Sequence, residues 1–152
     1  MDAVAYPDPS VADFIEKNLI PLRLMSDDRV YAVRFRIKWT PSLLVLDSDG
    51  VEHYRTLGFY PPADLIPSLM LGIAKTWFNK PDRPASIAVL DQIVSQHPRN
   101  SLAPEAVYLA GVARYIETHH LTHLTGIYDK LTADYPESVW VTRSSPYRLL
   151  KK

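Results

Sequence analysis

"RIKWTPSLLVLDSDG", Arg36–Gly50, decides how the rest of the chain is read. It runs from the end of a helix through a Thr-Pro pair into an apolar run, then closes on an Asp-Ser-Asp-Gly turn. The apolar run reads as a strand, and Gly50 stands where the turn needs positive φ. The following "VEHYRTLGF" alternates through His53 to Leu57, so the two runs form a β-hairpin.

Upstream, "AYPDPS" is punctuated by proline and ends in Ser10, placed to cap the amides of "VADFIEKN", where Val11, Phe14 and Ile15 share one face of a short helix. "LIPLRLM", Leu19–Met25, is apolar and partly alternating, with a proline near its start, as suits a strand that Asp27 and Asp28 close. "DRVYAVRFRI" spaces Val30, Val33 and Ile37 three to four apart, the pattern of an amphipathic helix whose Arg34, Arg36 and Lys38 are a solvated face. Downstream, Pro61, Pro62, Ala63 and Asp64 open the helix "ADLIPSLMLGIAKTWF", with Pro67 in its first turns.

After "NKPDRP" strand signals cease and helical ones continue, which places a boundary near Pro81 between a module over 1–80 and a tail over 81–152. The tail carries four helical stretches, about Ala85–Gln96, Pro104–Thr118, Leu121–Tyr135 and Ser138–Leu150. Leu90-Asp91, Ile93 and His97-Pro98 recur in the same relative positions as Tyr128-Asp129, Leu131 and Tyr135-Pro136. A helix ending in an aromatic-Pro pair, followed by one with small residues (Ala106, Ala110, Gly111, Ala113), is how helix pairs pack closely and stack. This tail resembles a tetratricopeptide-like pair of hairpins.

Composition narrows the chemistry. The 152 residues, 47% hydrophobic, are enough for a core. Seventeen basic and seventeen acidic residues cancel, with no long run of either sign, so no nucleic-acid footprint is expected. No apolar stretch approaches a membrane span and "MDAVAYPDPS" lacks the regions of a signal peptide, so no membrane partner and a cytoplasmic location are expected. The chain has no cysteine, which removes disulfides, thiolate nucleophiles and thiolate metal sites together.

The segment "RFRIKWTPSLLVLDSDGVEHYRTLGFYPPADLIPSL" resembles the C-terminal half of a thioredoxin fold. In that family a helix ends in a Val or Ile before a bend, a cis-proline begins a strand, a Gly turn leads to an edge strand with a Gly near its end, and a last helix covers the sheet. Ile37, Pro41, Gly50 and Gly58 match those positions in order. The resemblance covers roughly 10–72 and implies an α/β fold, an incomplete thioredoxin-like module followed by the all-α tail. The family's Cys-x-x-Cys segment would lie before "DAVAYPDP", so redox activity is not expected of this chain. The resemblance implies a peptide-binding ledge of Trp39, Thr40 and Pro41, with a cis bond at Thr40-Pro41 leaving Thr40 backbone groups open to an extended peptide. Trp39 by itself reads rather as a core plug.

Other constellations are ordinary. His119, His120 and His123 in "ETHHLTHL" include a pair one helical turn apart but lack the glutamate of metalloprotease chemistry, and they read as an inter-helix polar segment. Asp47 and Asp49 are turn residues. Only five glycines are present and no phosphate-cradling loop or nucleophile elbow stands out. No catalytic residue, metal or cofactor is therefore expected, and the enzyme question stays open. The expected function is a cysteine-free protein-binding or chaperone-like module. The alternatives are a fragment of a disulfide oxidoreductase with its dithiol upstream of Met1, and an oligomerising scaffold. Without the family's strand between Leu19–Met25 and Ser42–Asp47, three outcomes are open: the two strands pair directly, "MDAVAY" folds back, or a second chain covers the gap. A symmetric homodimer is the expected one.

Overall fold

Asp8, not Ser10, starts the first helix. In the structure, a computed structural model that describes residues 1, 3–25 and 27–150, the Asp8 carboxylate accepts from the Ser10 N–H at 2.9 Å and the Val11 N–H at 3.4 Å. Helix α1 therefore spans Pro9–Asn18, with Pro9 at the first position, where its missing N–H costs nothing. The residues before it turn instead of extending: the Met1 carbonyl accepts from the Ala5 N–H at 2.9 Å. Asp2, within the "MDAVAY" stretch, lies outside the described residues.

The expected strand at Leu19–Met25 does not form. Among the described residues the sheet has two strands, so the alternating run has no ladder to join and lies exposed, with Ile20 97% and Leu22 75% accessible. Alternation sets which side chains share a face; it does not supply a neighbour for the backbone. Helix α2, Arg29–Arg34, is capped by the Asp28 carboxylate, which accepts from Val30 and Tyr31 amides at 3.1 and 3.3 Å. It ends where Arg36 takes φ 50°, and its apolar stripe is not buried: Val30 and Val33 are 74% and 77% exposed.

Strands β1, Ser42–Leu46, and β2, Glu52–Leu57, form the antiparallel hairpin. Ser42 faces Leu57, Leu44 faces Arg55 and Val45 faces Tyr54, after which an irregularity brings Leu46 opposite Glu52. The turn is organised by Asp47. Its buried carboxylate accepts from the Asp49 and Val51 amides, both at 2.9 Å, and from His53 Nε2 at 3.0 Å. Gly50 completes the turn at φ 75°. Helix α3, Pro62–Asn79, follows, with Pro67 inside it.

The chain divides into two compact units, Met1–Leu69 and the residues from Met70 on, so the division falls within α3 and not at the Pro81 break. The first unit has its core in Ala5, Val11, Val45, Leu65 and Leu69, against which Phe14, Ile15, Leu43 and Tyr54 pack. The chain as a whole is mixed α/β and mostly helical.

The second unit contains α4, Arg83–Gln96; α5, Ala103–Thr118; α6, Thr122–Asp134; and α7, Val139–Ser144, continued by a 3₁₀ helix, Ser145–Leu150. The single helix expected over Ser138–Leu150 thus changes type at the serine pair before Pro146. Consecutive helices pack, and Ala106, Ala110, Gly111 and Ala113 are buried where they do. The repeat is visible in the backbone: His97 and Tyr135 close α4 and α6 at φ −128°, ψ 49° and φ −140°, ψ 53°, each just before proline.

Candidate functional site

The residues expected to form a ledge, Trp39, Thr40 and Pro41, lie where α2 hands over to β1. After Arg36, the Ile37 N–H returns to the Ala32 carbonyl at 2.8 Å, so the chain leaves the helix in a tight bend. The Ser42 hydroxyl donates to the Trp39 carbonyl, and the Pro41 carbonyl accepts from the Gly58 N–H at 2.9 Å. Between these two anchors the Thr40-Pro41 bond is cis, as the family pattern led us to expect. Ile37, Lys38, Trp39 and Thr40 line an open concavity of about 260 Å³.

Trp39 is not a core plug. It is 68% exposed, because the bend puts it outside the hairpin core that Leu43 and Val45 enter. Residues 29–46 supply Arg29, Arg34, Arg36 and Lys38 and no acid, so the ledge is approached through positive charge. A second concavity, of about 500 Å³, is lined by Arg34, Phe35, Arg36, Gly50, Glu52 and Arg55. Arg55 holds Glu52 in a two-pronged pair at 2.6 and 2.7 Å and also donates to the Phe35 carbonyl. The Arg55 hydrogen bonds keep the Glu52 carboxyl below its ordinary range, while Glu52 raises the guanidinium.

The register of β1 identifies what lies on its outer edge. Because the Pro41 carbonyl bonds to Gly58, the residue just past β2, antiparallel alternation gives Leu43 and Val45 the ladder bonds to β2. The N–H and C=O of Ser42, Leu44 and Leu46 therefore point away from β2, toward an edge that no third strand covers among the described residues. β1 contains neither charge nor proline, whereas β2 carries Glu52, His53 and Arg55. Charged and proline residues are what ordinarily blunt an edge, so β1 is the one left receptive.

The other sequence candidates lie elsewhere. His119 closes α5 in the left-handed region at φ 57°, against the Tyr115 ring, and the His120 and His123 rings stack at 6.3 Å. Among the described residues no group of three or more His, Cys, Asp or Glu could hold a metal. Asp47 serves the turn. The sequence reading left an uncovered edge on this strand; what it did not single out is which residues of that edge turn their backbone groups outward and that Ser42–Leu46 carries not one gatekeeping charge.

Compared with known proteins, the chain matches no family model, no curated protein and no solved structure. Among the described residues, no helix is long and apolar enough to cross a membrane.

Proposed function

We propose that this chain is a protein-binding module, a cysteine-free relative of the thioredoxin-like proteins with a tetratricopeptide-like tail, that holds an extended segment of another polypeptide on the ledge Trp39–Pro41. The observation that carries the reading is the exposed Trp39 indole next to a strand edge with outward N–H and C=O groups. A strand edge gives an extended peptide main-chain hydrogen bonds, and an aromatic beside it gives a place for an apolar side chain. No thiol chemistry accompanies this, since the chain has no cysteine.

The test is binding of a carboxymethylated, permanently unfolded protein to the full chain, followed by anisotropy, for wild type and Trp39→Ala. The variant loses about tenfold in affinity, the ~1.4 kcal/mol expected for truncating one aromatic anchor. Its melting temperature stays unchanged, because the ring is largely in solvent. Equal binding by the two proteins overturns the reading.

A further inference from the structure

We propose that the outer edge of β1 pairs antiparallel with the same edge of a second copy, forming a four-stranded sheet across a two-fold axis at Leu44. The inference rests on reading this edge as a protein-binding surface and names its partner. The backbone alternation that points Ser42, Leu44 and Leu46 outward makes the edge self-complementary. Placing Leu44 opposite Leu44 of the copy lets the two residues exchange N–H···O bonds in both directions. Ser42 then faces Leu46 of the copy, and Leu46 faces its Ser42, with the same exchange.

Charge selects the second copy over an unrelated strand. The chain entering β1 carries the exposed Arg36 and Lys38, and the turn leaving it carries the exposed Asp49. Antiparallel pairing sets the entry of one strand beside the exit of the other, so Lys38 lies beside Asp49 of the copy at both ends of the new ladder. A parallel partner would bring like charges together. The chain's formal charge of zero means two copies meet without net repulsion. The outer edge of β2, with Glu52 and Arg55 on its strand, has no such self-match.

The experiment is light scattering and sedimentation of the full chain across a dilution series at low salt. Wild type is expected to be a dimer that dissociates on dilution, and excess unfolded protein, which uses the same edge, is expected to promote that dissociation. Leu44→Pro removes an N–H that β2 does not use, a place where an edge strand tolerates proline, and is expected to stay monomeric with an unchanged far-ultraviolet spectrum. Should that variant fail to fold, charge exchange decides. Lys38→Asp and Asp49→Lys each weaken the dimer by on the order of tenfold, counting both symmetry-related contacts, and the double variant restores it. A dimer indifferent to the charge changes overturns the proposal. A wild-type monomer at every concentration overturns it too; if that monomer binds unfolded protein through Trp39 the ledge reading survives, and if it binds none both readings fall.

Discussion

Replacing Gly111 by alanine adds one methyl group where α5 lies closely against α6. A Cβ there would stand 2.2 Å from Ile127 Cγ1, 2.5 Å from Ile127 Cδ1 and 3.2 Å from the His123 carbonyl. Contacts between carbons are comfortable near 3.5–4 Å, so Ile127 must turn out of its place or α5 and α6 must separate. Ile127 is 3% exposed and belongs to the core with Val107, Leu124 and Leu131, which leaves it little room. Overpacking of this kind costs ~1–3 kcal/mol or more. Alanine offsets part of that, about 1 kcal/mol, through its better helix propensity. The expected net loss is ~0–2 kcal/mol, or up to roughly 8 °C in melting temperature for a chain of this length. Gly126, one residue before Ile127, is the internal control: a Cβ there meets nothing within 4 Å, and the helix face is exposed. Gly126→Ala keeps the propensity gain and should stabilise by ~0.5–1 kcal/mol. Thermal and urea unfolding followed by circular dichroism measure both. In Gly111→Ala, trimming the obstacle with Ile127→Val should return part of the loss. If Gly111→Ala is as stabilising as Gly126→Ala, the close approach of α5 and α6 is not real and the packing account of this unit fails.

Two further outcomes are expected. Asp47→Ala removes the carboxylate that accepts from the Asp49 and Val51 amides and from His53, so the hairpin should lose ~2–3 kcal/mol, read as faster amide exchange across β1 and β2, with Asp47→Asn recovering part of it. Tyr147, whose hydroxyl meets that of Tyr108 at 2.9 Å, is pushed up to about 12, first by burial and then by that bond. Its proton is held more tightly in the folded state, so this contribution to stability is complete below about pH 10, the ordinary tyrosine value, and disappears as the pH rises through 12. A tyrosinate absorbance titration should show a late phase that Tyr147→Phe abolishes.

The hairpin and the tail helices were legible because period and punctuation agree there: proline before the strand, Asp and Gly in the turn, aromatic-Pro after two helices. The start of α1 was misplaced because Asp8 and Ser10 are both good caps. Pro9 held the answer, since a proline at the first helical position makes the residue before it the cap. Leu19–Met25 was misread for a deeper reason. A strand is a relation between two segments, and alternation in one segment carries no information about whether the other exists. Trp39 was assigned to the core from the usual burial of its residue type, whereas its place in the bend is set by neighbours on both sides. The Pro81 boundary marks a real loop, yet Leu65 and Leu69 of α3 belong to the first core while the same helix runs on to Asn79. An uncovered edge on this strand was expected, but which of its residues turn their N–H and C=O outward needed the register, which only the pairing with β2 supplies.

The matched terminations of α4 and α6 bear on how such a tail could change its length. Two places in the chain, His97 and Tyr135, leave a helix through nearly the same backbone angles and step at once onto a proline. A segment cut at one of these places and rejoined at the other finds its end already shaped, so a tandem copy of 98–135 can be spliced in after Tyr135 with no new turn to invent. The tail is thus prepared to grow by whole helix pairs, and a gene duplication falling between these two prolines would meet little resistance from the junctions it creates.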